Sequence, residues 1–202
     1  MIEIRHKKRV ITFDPDTHQY FIDGLEALSV TTVFERIGLD DFSKVDPGVL
    51  KRATEFGHAV HRMIYLYNQG RLEKSTLSPD LLPYLEGWER LLKEHDVVIL
   101  DSEKIVYSRR WWYCGTLDID CLFDGDHALI DLKSGQVRKT VPMQTASYQN
   151  AHNEMFPSNK ITRRYCVQLV EKGYRLIPHT DATDLKDFLV LLQACGIREK
   201  YK

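Results

Sequence analysis

Residues 114–133 read Cys-Gly-Thr-Leu-Asp-Ile-Asp-Cys-Leu-Phe-Asp-Gly-Asp-His-Ala-Leu-Ile-Asp-Leu-Lys, and the alternation in this stretch decides the fold. A period of two runs over Leu117 to Phe123 and again over Ala128 to Lys133. The tight acidic Asp124-Gly125-Asp126 separates the two runs, which predicts a β-hairpin. In a strand, residues i and i+2 share a face, so Asp131 and Lys133 lie together while Leu132 points the other way. Asp118 and Asp120 share a face on the neighbouring strand, and pairing about the turn brings one of them beside Asp131.

Leu117, Ile119, Leu122, Phe123, Leu129, Ile130 and Leu132 mark both strands as core strands. Charges there are costly unless paired or bound to a metal. Two carboxylates and the Leu132 carbonyl are hard oxygen donors that suit Mg²⁺ or Mn²⁺. Lys133 then orients or deprotonates a water that attacks a phosphate held on the ion. Taken alone, the short Asp-Leu-Lys fits better a buried ion pair that only fixes register.

Working outward, four motifs stand in order: Gly57-His58-Ala59-Val60-His61, Gly115-Thr116-Leu117-Asp118, Ile130-Asp131-Leu132-Lys133 and Gln144-Thr145-Ala146-Ser147-Tyr148. The series resembles the PD-(D/E)xK nuclease superfamily, and within it the RecB-like exonuclease branch. That branch carries G-x-x-x-H, G-x-x-D, D-x-K and Q-x-x-x-Y in this order. His18 to Gly24, followed by Leu28-Ser29-Val30-Thr31, is similar to the opening of phage-encoded members.

The resemblance implies an α/β fold with a restriction-endonuclease-like core: a central mixed β-sheet flanked by helices, with an N-terminal β-hairpin, as a single nuclease domain over 1–202. It implies a metal-dependent DNA exonuclease of phage type or mitochondrial-maintenance type, serving recombination, replication or repair. Its partners would be DNA, as single strands or duplex ends, and a phage recombination or replication protein. Asp118, Asp131, the Leu132 carbonyl and His61 would hold Mg²⁺ or Mn²⁺, and Lys133 would position the attacking water. Gln144 and Tyr148, one helical turn apart, would orient the substrate strand. His58 is the rival ligand to His61. Many relatives have a glutamate one turn after the histidine, where Ile64 and Tyr65 stand here. Glu103 reads as a second acid near the metal or as a solvated loop carboxylate. A structure-specific endonuclease and a non-catalytic DNA-binding relative are the alternatives.

The chain has 202 residues, 43% of them hydrophobic and 28% charged, enough for a real α/β core. No apolar run approaches the roughly 20 residues that span a bilayer, and the N-terminal sequence lacks a signal-peptide core, so a cytoplasmic location is expected. Cys114, Cys121, Cys166 and Cys195 are far apart, which implies neither a zinc ribbon, a disulfide framework nor an iron–sulfur cluster. A net charge of −1 argues against coating nucleic acid by bulk attraction, but not against local phosphate contacts. Arg109-Arg110, Arg138-Lys139, Lys160, Arg163 and Arg164 bunch around the motifs. Arg109-Arg110 beside Trp111-Trp112-Tyr113 reads either as a DNA clamp or as a turn covering a sheet edge.

Elsewhere, Val10 to Phe13 and Tyr20 to Ile22 predict the N-terminal hairpin. Ser29 caps a helix from Val30 to Ile37 that Gly38 stops. Asp46-Pro47 starts a helix with an inward stripe of Leu50, Ala53, Gly57, Val60 and Ile64. In it, Gly57 marks a close approach. Ser78-Pro79-Asp80 opens the next helix; Val97 to Leu100 and Ile105 to Tyr107 are two strands; Thr140 to Phe156 is a helix. Strands at Ile161 to Val170 and Tyr174 to Pro178 flank Glu171-Lys172-Gly173. A last helix, capped by Thr180 or Asp181, packs on the sheet before a frayed tail, Arg198 to Lys202.

Overall fold

A computed structural model describes residues 1–171 and 173–200. Lys172, at the last predicted strand turn, and Tyr201-Lys202 in the tail lie outside the described residues. The architecture is mixed α/β, with a nine-stranded mixed sheet flanked by helices. The strands are β1 (Ile2–His6), β2 (Arg9–Asp14), β3 (Gln19–Ile22), β4 (Leu25–Ser29), β5 (Val97–Ser108), β6 (Tyr113–Phe123), β7 (Asp126–Lys133), β8 (Arg163–Val170) and β9 (Gly173–Pro178). The helices are α1 (Val30–Ile37), α2 (Pro47–Asn68), α3 (Leu82–Glu94), α4 (Val141–Met155) and α5 (Asp184–Lys200). Among the described residues, no helix is long and apolar enough to cross a membrane.

The decisive hairpin forms as its alternation predicts. β6 and β7 pair antiparallel from Phe123↔Asp126 to Ile119↔Ile130, around a turn in which Asp124 and Gly125 have φ of 49° and 87°. Two consecutive positive φ values match the right-handed twist of the flanking strands, and glycine adopts one of them at no steric cost. β7 then pairs parallel with β8, while β6 pairs antiparallel with β5 and, at Leu28↔Tyr113 and Ser29↔Cys114, parallel with β4. The hairpin therefore sits in the middle of the sheet. Ala128, Ile130 and Leu132 pack on one side with Val60, Met63, Trp88 and Leu91 of α2 and α3. Leu129 packs on the other with Tyr148 and Ala151 of α4 and Phe188 of α5.

Several boundaries differ from expectation. The N-terminal hairpin is β2 and β3, but β1 and β4 extend it to four antiparallel strands. The expected pair of strands before β6 is one strand, β5, with a register shift between Ile99 and Asp101 and with Glu103 at φ 55°. α3 starts at Leu82, because Ser78-Pro79-Asp80 is spent on a turn closed by the Leu81 N–H on the Ser78 carbonyl. In α2 the buried positions are Val60, Met63 and Ile64, whereas Leu50 and Ala53 line an open cavity. A Cβ on Gly57 would meet only Ser134 Oγ at 3.8 Å, an ordinary contact, so no close approach demands that glycine. α5 begins after Asp181 has accepted the Thr183 N–H, and it packs chiefly on α1 and α4, reaching the sheet through Phe188 against Tyr113.

α1 matches its predicted limits, because both ends are locally encoded. The Thr32 N–H donates to Ser29 Oγ at 3.1 Å, and Gly38 closes the helix at φ 79°. Ser29→Ala is expected to cost about 1 kcal/mol in urea unfolding, since it strips the cap and leaves the partly buried Thr32 N–H without its partner.

Candidate metal centre

The β6–β7 ladder stops at Ile119↔Ile130, and one step further along that register Asp118 faces Asp131. Asp118 ends the ladder with its side chain: the Leu132 N–H donates to Asp118 Oδ2 at 2.7 Å. The Leu132 carbonyl is engaged from the other side, by His61 Nε2 at 3.0 Å. His61 stands on α2, and its Nδ1 lies 3.7 Å from both Asp118 Oδ1 and Glu103 Oε1. One donor atom from each of His61, Glu103 and Asp118 therefore falls within 4.8 Å of the others. The positive φ at Glu103 lifts this carboxylate out of the pleat of β5.

Asp131 is not part of that trio. It is 1% exposed, with Lys133 Nζ 2.7 Å from its Oδ2. Oδ2 is thus engaged by the ammonium, while Oδ1 is buried without a partner. Burial pushes the Asp131 carboxyl upward and Asp118 adds to the push, against the pull of Lys133. Burial opposes charge on Lys133 as well, but Asp131 and Asp118 outweigh it and hold the ammonium above the ordinary lysine range. His61 follows the same logic: burial works against its proton, yet Asp118 and Glu103 raise it to about 9.

The residues fit a hard divalent cation. Asp131 offers a buried oxygen without a partner, Asp118 and Glu103 offer further carboxylates, and the Leu132 carbonyl and His61 complete an oxygen-rich donor set. His58, exposed on α2, has no place in it. A cavity of about 890 Å³ reaches His61, Glu103 and Lys133, whereas Asp118 and Asp131 do not line it.

Gln144 and Tyr148 meet as their spacing requires, with Gln144 Nε2 donating to Tyr148 Oη at 3.2 Å. Their surroundings differ. Gln144 lines a second cavity that also includes Lys133, while Tyr148 is 5% exposed, its phenol raised well above its ordinary pKa by burial. The Tyr148 ring lies against Gly115, where a Cβ would come within 2.3 Å of Cε1. Thus the glycine of the strand motif is the seat of the tyrosine of the helix motif.

Other charged residues serve different ends. Asp120, which shares the strand with Asp118, lies 2.6 Å from both Lys104 Nζ and His127 Nε2, and 3.4 Å from His152 Nε2. Burial disfavours its charge, but these partners hold its carboxyl far below the ordinary range. Arg109 and Arg110 lie in the β5–β6 turn, away from the donor trio, beside a different cavity. Arg164 is buried against Asp184 and the Pro142 carbonyl, and Arg163 pairs with Asp126. Neither of these two arginines joins the site, contrary to the sequence reading of a surrounding basic cluster. Arg138 does adjoin it, bonded to Asp40 at 3.0 Å and stacked over Phe42. Asp40 also accepts from Thr140 Oγ1, so the segment between α1 and α2 is tied down at the cavity rim. That tie joins residues too distant in sequence for spacing to reveal.

No protein-family model matches the sequence, and no curated protein matches it. Among solved structures, the chain is similar to a crystal structure of a "Putative exonuclease" from Eubacterium rectale. The TM-score is 0.48 with 12% sequence identity, over 70% of this chain and 65% of that one. The matched region thus spans 65% of that neighbour's length.

Proposed function

We propose that the protein hydrolyses DNA phosphodiester bonds with the help of Mg²⁺ or Mn²⁺, as a PD-(D/E)xK exonuclease of the RecB-like branch. The observation that carries this reading is the Asp131 carboxylate, sealed in the sheet with Oδ2 ion-paired to Lys133 and Oδ1 without a partner, next to the His61, Glu103 and Asp118 donors. A buried carboxylate left in that condition costs stability, and a function explains why the site keeps it.

Asp118, Asp131, Glu103, His61 and the Leu132 carbonyl are the groups that would hold the ion. When bound, such an ion neutralises phosphate charge and makes water a stronger nucleophile near neutral pH. Lys133, cationic and on the cavity wall, offsets negative charge on the phosphate and orients a water toward it. Gln144 presents its amide to the substrate strand, and Tyr148 fixes that amide from behind. Asp118 holds the Leu132 backbone, so the same side chain sets the position of the carbonyl and of the carboxylate.

The test is degradation of end-labelled single- and double-stranded DNA with Mg²⁺ or Mn²⁺. Release of labelled mononucleotides or short products from an end is expected, and closed circular DNA should persist. Cutting of the circle would replace the exonuclease by an endonuclease. An inert wild-type protein with both ions would remove the catalytic reading.

A further inference from the structure

Cavities of about 890, 530 and 900 Å³ follow one another along β5. The first and second share Ile2 and Glu103, and the second and third share His6 and Met155. Together they make one trough from the metal centre to the turn between β1 and β2. Glu103 stands at its start and Arg109, one residue past the end of β5, near its end; the six-residue separation between them spans about 20 Å of extended chain.

The two ends differ in chemistry. The middle has an apolar floor of Ile2, Ile4, Phe13 and Phe156, with Met155 at the boundary, and carries Arg5, Asp101 and Lys104 among its walls. The far end gathers Lys7 and Lys8 from the β1–β2 turn and Arg109 and Arg110 from the β5–β6 turn, all four exposed. Among the described residues none of these four is held in an ion pair, whereas Arg9 beside them is paired with Asp23. Glu154, the acid in the same cavity, is already occupied by Ser108 Oγ, Asn150 Nδ2 and the Arg110 N–H. The Arg110 guanidinium stacks 5.0 Å over the half-buried Trp111 ring, which holds it without consuming its charge.

We infer that this trough binds a single-stranded segment of the nucleic acid whose phosphodiester lies at the metal centre, with Lys7, Lys8, Arg109 and Arg110 gripping its phosphates. The inference rests on the proposed nuclease reading and extends it to the substrate class. An apolar, aromatic floor followed by unpaired cations matches a chain that offers bases and phosphates together. A duplex turns its bases inward and cannot use that floor. A stacked strand, at about 3.4 Å per phosphate, covers the 20 Å in roughly six nucleotides, and an extended one in fewer.

The experiment is fluorescence anisotropy with labelled oligothymidylates of about 4 and about 20 nucleotides, without divalent ions, across a series of KCl concentrations. The wild-type protein should bind the longer strand roughly tenfold more tightly at low salt, and more tightly than a duplex of equal length. Lys7→Ala with Lys8→Ala should remove most of the length advantage and flatten the slope of log affinity against log salt by about 1.4, or about 0.7 per lost phosphate contact. Arg109→Ala with Arg110→Ala should do the same by an independent route. An unchanged length advantage in both variants would overturn the inference, as would its absence from the wild type or a preference for the duplex. Metal-dependent cleavage by the wild type separates the two ideas: cleavage with length-independent binding removes the trough alone, and no cleavage removes the nuclease.

Discussion

Asp118→Asn is expected to lower metal-dependent DNA cleavage by roughly 10²–10³-fold or more while the protein stays folded. The substitution keeps an acceptor for the Leu132 N–H, which Asp118 Oδ2 now takes at 2.7 Å, so the end of the β6–β7 ladder is preserved. What it removes is a formal charge beside His61 and Asp131. Without it the donor set loses attraction for a divalent cation, and Lys133 loses one of the two carboxylates that stabilise its ammonium. The second readout is thermal shift with Mn²⁺: the wild type should gain stability as the ion is added and Asp118→Asn should not. Wild-type cleavage by Asp118→Asn would sink the assignment of the centre, and an unfolded variant would show that the ladder needs the charge itself.

The largest effect on stability should come from Gly115→Ala. Its added methyl would sit 2.3 Å from Tyr148 Cε1 and 3.0 Å from Cδ1, distances that force one partner to move. The ring is buried and bonded to Gln144, and the glycine lies in β6, so neither moves cheaply. Overpacking of this kind costs about 1–3 kcal/mol, and any ring shift also drags Gln144 from the cavity wall. Urea unfolding should show that loss, and cleavage should fall further than stability alone explains. In a Tyr148→Ala background the same Gly115→Ala change should cost far less, giving a coupling of about 0.5–3 kcal/mol. Equal costs in both backgrounds would disprove the steric link between the two motifs.

How much of this was legible in the sequence depends on how local the encoding is. The hairpin, α1 and α4 follow from alternation, Ser29, Gly38 and a helical run, each readable within a dozen residues. β1 was missed although Ile2, Glu3, Ile4 and Arg5 alternate apolar and charged side chains, the mark of a half-buried strand; β4 was missed because the alternation of Leu25–Ser29 breaks at Ala27-Leu28. Alternation placed Asp118 and Asp120 on one face but could not say which joins Asp131; only the fold shows Asp120 already committed to Lys104, His127 and His152. Glu103 looked like a loop carboxylate because its neighbours seemed to break the strand, whereas a single left-handed residue within β5 turns it toward His61. The role of Gly115 became clear only with Tyr148 against it.

The four N-terminal strands meet the rest of the sheet through two registered pairs, Leu28↔Tyr113 and Ser29↔Cys114. Beyond that short seam, Ile11, Tyr20, Ile22 and Ala27 share a buried core with Val106, Tyr107, Tyr113 and Leu117, and two side-chain bonds also span the leaves: Tyr20 Oη with Thr116 Oγ1 at 2.8 Å, and His6 Nδ1 with Tyr107 Oη at 3.2 Å. The N-terminal strands are therefore held to the central sheet mainly by buried side chains and little by backbone pairing, so emptying that shared core would loosen them before the β5–β8 ladder gives way.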